Sequence, residues 1–267
     1  MCQQFCGTDA VHSSLHALDR RGLLKGAAAT AVVASAGCAT TTNPVTGREQ
    51  FIIVDDAQLQ QASLSAWAQL RQQTRAWNNA AAQRRLENVG GRIVQAAGRG
   101  NQNWEFVLFD SNDKNAFVLP GGQVGYYRGL YELTSDEDHM ATVLGHEVGH
   151  VTGRHAAERY SREYATQLGL QVVGTQVNSQ LAMAALGLGA QVGLSLPFSR
   201  EQEAEADIIG LRYMHAAGFD VKKSIRLWEL MRGSGSRPPE FLSTHPDPDN
   251  RIQRIRNYIN EQGWGPV

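Results

Sequence analysis

The residues with the most specific chemical pattern in this sequence are His146, Glu147 and His150, which form an HExxH motif. On a helix that turns by about 100° per residue, the two histidines lie about 40° apart, so both imidazoles leave one face. Two imidazole nitrogens at this spacing can bind one Zn²⁺. Glu147 lies about 100° from His146 on that helix and can reach a water on the metal. The motif therefore predicts a zinc site with Glu147 as the general base.

A further histidine, His155, is predicted to lie away from this ion. We expect the motif helix to span about Asp136–Glu163, which places His155 about 180° from His146, on the apolar face of the helix. That face consists of Met140, Leu144, Val148 and Val151. The metzincin pattern HExxHxxGxxH would bring a later histidine to the metal, but Ala156 occupies the required position. His155 is therefore interpreted as a packed or hydrogen-bonded structural histidine, and His139 as a surface residue near the helix start.

A zinc hydrolase with two helical histidines needs a third protein ligand and an open position for water. Glu203 and Asp207 lie four residues apart on a helix predicted to open near Ser199, so their side chains share a face. Glu203 can bind the metal, while Asp207 accepts a hydrogen bond from a ligand histidine and fixes its tautomer. Glu201 and Glu205 are expected to be solvated, and either is a minor alternative to Glu203 as the ligand. An ordinary charged helix would carry the same acidic residues without binding a metal.

The rest of the chain supplies elements that could hold these residues in place. Apolar residues at helical spacing predict two helices between residues 56 and 99. The stretch NWEFVLFDS (103–111) predicts a strand, and NAFVLPGGQVGYYRG (115–129) predicts two short strands around a Pro-Gly-Gly turn. Gly149 and Gly210 would let the motif helix and the Glu203 helix approach closely. We therefore predict an α+β fold, mainly α-helical, with a small β-sheet beside the HExxH helix.

Several motifs together resemble a known enzyme family. HExxH and a downstream ExxxD occur with NAFVLPGG before them, SREQEAEAD around the acidic pair and a late STHP. The combination resembles the HtpX/CAAX-prenyl-protease-type family of zinc metallopeptidases over roughly residues 38–260, and NPVTGREQ is similar to its small LoiP-like lipoprotein members. The resemblance implies a zincin-type fold, one Zn²⁺ bound by His146, His150 and Glu203, and Glu147 as the catalytic base. The sequence lacks the several spanning helices of the membrane-embedded members, so prenyl-protein substrates are not implied.

Two further regions could contribute to the reaction. His245 in STHP is a candidate donor for the oxyanion of a tetrahedral intermediate. The resemblance equally suggests that His245 caps the zinc as an inhibitory fourth ligand, and a histidine that stabilises the local turn is a third possibility. Arg251 is interpreted as a structural ion-pair partner. NAFVLPG resembles the edge strand of the family and could pair with an extended peptide, a simple hairpin being the alternative. The candidate substrate-binding residues are Asn115, Ala116, Phe117 and Val118.

Composition excludes several other classes of protein. The chain has 267 residues and a net charge of −1 without a lysine- or arginine-rich block, so a nucleic acid is not an expected partner. The cysteines are Cys2, Cys6 and Cys38, and none lies in the body of the chain. We therefore expect neither a disulfide framework nor a CxxC zinc site.

The first part of the chain has the features of an export signal. DRRGLLK followed by a short run of small apolar residues predicts a leader of the twin-arginine type over residues 1–37. SAGC resembles a lipobox, which makes Cys38 the expected lipidation site; simple cleavage nearby or an uncleaved anchor are the alternatives. Residues 38–55 are predicted to be a tether, and residues 56–267 are predicted to form the metallopeptidase domain.

These expectations combine into one functional hypothesis. The protein would be a lipid-anchored zinc endopeptidase on the periplasmic side of the outer membrane, or a soluble periplasmic form. Its expected substrates are unfolded or misassembled envelope proteins, an inference from the resemblance alone. The main alternative is a protease-like chaperone or binding module with a zinc site capped by His245 and little turnover. A purely structural zinc site is a third possibility. Cleavage specificity and oligomeric state are left open by the sequence.

Overall fold

The structure, a computed structural model, describes most of the chain after the predicted leader, namely residues 40–134, 136–172, 197–233, 239–246 and 248–265. The predicted leader and Cys38 lie outside the described residues. The helices there are α1 (Asp56–Gln73), α2 (Ala80–Ala96), α3 (Arg128–Leu133), α4 (Glu137–Thr152), α5 (His155–Val172), α6 (Arg200–Ala216), α7 (Lys223–Gly233), α8 (Glu240–Thr244) and α9 (Pro248–Glu261). The strands are β1 (Thr40–Thr42), β2 (Glu49–Phe51), β3 (Glu105–Phe109), β4 (Ala116–Val118) and β5 (Gln123–Tyr127). Within these segments, no helix is long and apolar enough to cross a membrane.

Three strands form a small mixed sheet between helices. β5 is central, with β3 parallel on one side and β4 antiparallel on the other. Successive side chains of β3 reach opposite faces: Leu108 joins the core that contains Leu144 of α4, whereas Phe109 packs edge-on against Trp67 of α1. The predicted fold class is confirmed, since the chain is mainly helical and the sheet lies beside the HExxH helix through contacts between β4 and α4.

The helix that carries HExxH, α4, is shorter than predicted. It ends at Thr152, and the chain then turns at Gly153 and Arg154, the latter with a φ of 53°. A Cβ on Gly153 would lie 2.4 Å from Nε2 of His155, so the ring of that histidine occupies the space beside the glycine. The prediction of one continuous helix through Glu163 is therefore wrong, because a new helix begins at His155.

The motif helix crosses α6 at positions without side chains. A Cβ on Gly210 would lie 2.8 Å from the backbone C of Gly145 and from the backbone N of His146. A Cβ on Gly149 would lie 2.7 Å from the carbonyl oxygen of Ala206. The close approach that Gly149 and Gly210 predicted is present, and it brings the acidic residues of α6 within reach of the two histidines.

Replacing Gly210 with alanine should destabilise the protein, because the colliding atoms belong to the backbone of α4 and cannot rotate away. We expect the free energy of unfolding to fall by about 1–3 kcal/mol, although alanine is the better helix former by about 1 kcal/mol. Gly91→Ala in α2 is the matched control, since its Cβ would meet no atom within 4 Å. Urea unfolding should show the control to be as stable as the parent or more so; equal loss in both variants would contradict the packing argument.

Residues 40–51 differ from the tether that the sequence predicted. β1 and β2 pair with each other, and Asn43 and Gln50 in this segment are buried. Arg48 forms ion pairs with Glu158 of α5 at 2.6 Å and with Glu205 of α6 at 2.7 Å. The segment is held against the helices by buried polar contacts, which its polar and turn-rich composition did not indicate.

Candidate metal centre

Four side chains converge at the crossing of α4 and α6. His146 and His150 come from α4, Glu203 comes from the first turn of α6, and His245 follows α8. One potential ligand atom of each lies within 4.8 Å of the others, and all four residues are buried. The structure thus brings together the three predicted ligands and the residue for which the sequence left several roles open.

The distances between these atoms suit a small tetrahedral ion. The two Nε2 atoms of His146 and His150 are 3.0 Å apart, and Nδ1 of His245 lies 3.1 Å from Nε2 of His146. Glu203 places its carboxylate oxygens 3.4 Å from Nε2 of His146 and 3.5 Å from Nε2 of His150. Ligands at zinc-like distances in a tetrahedron are roughly 3.3 Å apart. The donor set of imidazole nitrogens and a carboxylate therefore fits a zinc-type ion.

A buried arginine and an aspartate support the ligands from behind. Oδ1 of Asp207 lies 2.9 Å from Nδ1 of His146, the atom opposite the one that faces the cluster. Arg251, which is fully buried, donates through Nε to Oδ2 of Asp207 at 2.7 Å and through Nη2 to Glu203. The predicted contact of Asp207 with one of the two motif histidines is present. Arg251 is an ion-pair partner as predicted, and it contacts the carboxylates of Glu203 and Asp207.

The ionisation of the two motif histidines is set by their surroundings. Burial lowers the pKa of His150 well below its usual value, which leaves a neutral ring with a free lone pair. Burial has the same sign at His146, but the carboxylate of Glu203 and the hydrogen bond to Asp207 outweigh it and raise the pKa of His146 to about 9. Without a metal, a proton on His146 thus balances the buried carboxylates, and a divalent cation could take over this role.

Glu147 lies beside the cluster in an environment that disfavours its charge. Burial raises the pKa of its carboxyl group to about 8. The backbone N–H of Val118 in β4 donates to this carboxylate. Oε1 of Glu147 lies 3.5 Å from Nε2 of His245 and has no hydrogen-bond partner among the described residues. A buried acceptor that points at the cluster without a partner is the arrangement that a general base for a water molecule requires.

The outer edge of β4 faces Glu147 and could receive a peptide. Among the described strands, β4 pairs with β5 alone, and the side chains of Ala116 and Phe117 are buried. Of the four predicted substrate-binding residues, these two therefore offer only their backbone. A cleft of about 630 Å³ continues from this edge, with Val118 and His150 among its lining residues.

Three sequence-based interpretations need correction or refinement. Glu205 is buried rather than solvated, because Arg48 and His155 both contact its carboxylate, whereas Glu201 is exposed as expected. His139 is also buried rather than on the surface. His155 lies outside the four-residue cluster, as predicted, and its Nδ1 is 2.9 Å from Nδ1 of His150. The motif NPVTGREQ was the available signal for the burial of Glu205, since it contains Arg48.

In a comparison with known proteins, the chain is similar to proteases, several of them named as metalloendopeptidases. The sequence profile of Peptidase family M48 matches residues 80–259. Mitochondrial metalloendopeptidase OMA1 of Schizosaccharomyces pombe is 37% identical over 181 residues, which are 66% of this chain and 52% of that protein. The Beta-barrel assembly-enhancing protease of Escherichia coli K12 is 32% identical over 188 residues, 66% of this chain and 38% of that protein. Metalloendopeptidase OMA1 of Bos taurus is 32% identical over 237 residues, 81% of this chain and 45% of that protein. The matches thus span about half or less of these relatives.

Proposed function

The chain belongs to Peptidase family M48, and we propose that it is a zinc-dependent endopeptidase that hydrolyses peptide bonds in unfolded polypeptides. The observation that carries this proposal is the convergence of His146, His150 and Glu203 with Oε1 of Glu147 beside them, an oxygen that has no hydrogen-bond partner in the described part of the chain. A purely structural zinc site does not require a base beside the metal. The names of the relatives, two of which are called metalloendopeptidases, support the same reaction.

In the proposed mechanism, His146, His150 and Glu203 would hold one Zn²⁺. Zinc there would supply a Lewis acid that acidifies a water molecule and polarises the substrate carbonyl. Glu147 takes the proton of the water and later delivers it to the leaving amine. Burial raises the pKa of its carboxyl group to about 8, so the group binds a proton more strongly than an exposed glutamate does and can still release it near neutral pH. Asp207 holds the ring of His146 in the orientation that keeps Nε2 directed at the metal.

The substrate would enter as an extended segment. A peptide that pairs with the outer edge of β4 would run past Glu147, because Val118 in that strand already contacts the glutamate. Main-chain pairing requires an extended and unfolded segment and imposes little side-chain selection. We therefore propose that Asn115, Ala116, Phe117 and Val118 bind substrate mainly through their backbone.

His245 decides between the peptidase and its main alternative. Its Nδ1 lies 3.0 Å from Glu203 Oε1 and 3.1 Å from His146 Nε2, so the ring stands where the fourth ligand of a tetrahedral site belongs. This geometry favours the role of a cap over that of an oxyanion donor. The conformation described is then a closed one, and turnover requires His245 to leave. A protein that remained closed would be the chaperone or binding module considered as the alternative.

Casein cleavage by the zinc-loaded wild type and by His245→Ala tests both points. We expect the wild type to cleave casein in a chelator-sensitive manner and the variant to cleave it several-fold faster, because the competent state is no longer in competition with the cap. An oxyanion donor would instead make the variant slower by about 10²–10³-fold. If neither protein cleaves while each binds zinc, the endopeptidase proposal fails and the binding module is favoured.

A location and a class of physiological substrates can also be proposed. One relative is named for β-barrel assembly, and the leader pattern with Cys38 predicts export. We propose a LoiP-like lipoprotein of the HtpX/CAAX-prenyl-protease type at the periplasmic side of the outer membrane, acting on unfolded or misassembled envelope proteins. Palmitate labelling that is lost in Cys38→Ala would support the anchor, and labelling that persists in this variant would contradict it.

A further inference from the structure

The two motif histidines are supported from behind in different ways. Nδ1 of His146 contacts Asp207, whose other oxygen accepts from Arg251. Nδ1 of His150 instead lies 2.9 Å from Nδ1 of a second histidine, His155. A histidine that binds metal through Nε2 must be neutral and needs an acceptor for its Nδ1–H. The residues behind His155 must therefore fix which of its two nitrogens is the acceptor.

A chain of buried and partly buried contacts fixes which nitrogen of His155 is the acceptor. Nε2 of His155 lies 3.2 Å from Oε2 of Glu205, and Arg48 donates through Nε to the same oxygen at 2.7 Å. Asn43 and Thr46 donate to the other oxygen of Glu205. A carboxylate that receives these donors can only accept, so His155 carries its proton on Nε2 and presents a free lone pair at Nδ1. His150 can then donate its Nδ1–H and keep Nε2 open toward the cluster.

We propose that His155, Glu205 and Arg48 are positioning residues of the metal centre, and that the segment from Asn43 to Gln50 is a part of that centre rather than a tether. This inference rests on the proposed zinc site. The helix break at Gly153 places the His155 ring against His150, and Gln50 donates to the Gly153 carbonyl at 2.6 Å. This segment is the motif NPVTGREQ, and four of its polar side chains contact α5, α6 or the turn between α4 and α5. The contacting residues are Asn43, Thr46, Arg48 and Gln50.

The test measures zinc affinity by competition with a chromophoric chelator in the full chain, together with the circular dichroism of the metal-free protein. We expect His155→Leu to weaken zinc binding by about 10–100-fold, because His150 loses its acceptor. His155→Asn should lose much less, since the asparagine Oδ1 stands near the position of Nδ1 and can accept the same hydrogen bond. Arg48→Met should weaken binding by about tenfold, because Glu205 loses the ion-pair partner of the oxygen that contacts His155.

Arg162→Met is the matched control for Arg48. Arg162 also pairs with Glu158, at 2.7 Å, but it does not contact Glu205. Zinc affinity equal to the wild type in this control supports the proposal, because it shows that losing an arginine partner of Glu158 does not by itself weaken zinc binding. Wild-type affinity in a folded His155→Leu protein would overturn the proposal. If that variant does not fold, wild-type affinity in Arg48→Met overturns it. A wild type without zinc binding would instead refute the proposed function, so the two failures are distinct.

Discussion

Glu203→Ala should abolish stoichiometric zinc binding and destabilise the metal-free protein. The substitution removes the carboxylate whose oxygens lie 3.4 Å from Nε2 of His146 and 3.5 Å from Nε2 of His150. It also leaves Arg251 fully buried with Asp207 as its remaining carboxylate partner at the centre. Removing one member of a buried ion pair costs about 3–5 kcal/mol, because the other charge stays away from water without full compensation. Zinc content after dialysis and thermal unfolding of the metal-free protein measure the two effects.

Glu201→Ala is the matched control for this prediction. Glu201 lies on the same helix two residues earlier and is exposed, so its removal should change the stability by less than about 0.5 kcal/mol. It should also keep one zinc per chain. If Glu203→Ala bound zinc as tightly as the control, Glu203 would not be a ligand, and the third donor would have to be sought elsewhere.

Glu147→Gln should abolish catalysis and preserve the site. Glutamine has the same size and can keep the contact with the Val118 N–H, but it cannot accept a proton from water. Burial raises the pKa of Glu147 to about 8, so a neutral amide should be tolerated at least as well as the carboxylate. We expect casein cleavage to fall by about 10²–10⁴-fold, while zinc content and the unfolding temperature stay at or above those of the wild type.

The control for this variant is Glu137→Gln, the same substitution at an exposed position in the first turn of the same helix. It should cleave casein at the wild-type rate. Residual activity of Glu147→Gln above one tenth of the control would mean that another group accepts the proton. Loss of zinc together with activity would mean that Glu147 contributes to the ion-binding cluster itself.

The motif spacing was enough to predict how the centre is assembled. HExxH fixes two histidines on one helical face irrespective of the rest of the fold, and the ExxxD pair places Glu203 and Asp207 on one face in the same way. Gly149 and Gly210 predicted a close helix crossing for a steric reason that operates at any such crossing. These predictions depend on helix periodicity, which is a local property of the chain.

The contacts that the sequence did not reveal are those between distant segments. His155 was assigned to the back of a continuous helix, but the chain turns at Gly153 and Arg154 and α5 begins there. A glycine followed by an ordinary arginine does not predict such a break. Glu205 was expected to be solvated, but its carboxylate is contacted by Arg48, which lies 157 positions away in the chain. The local sequence around either residue does not indicate that the two side chains are in contact.

The most direct test of the central claim is a titration of zinc into the metal-free wild type and Glu147→Gln, with casein cleavage followed at each addition. The account predicts that both proteins bind one zinc per chain. Cleavage by the wild type should rise in proportion to bound zinc and level off at one equivalent, while Glu147→Gln should stay inactive throughout. Cleavage by the metal-free wild type, or full zinc binding without any cleavage by the wild type, would contradict the account.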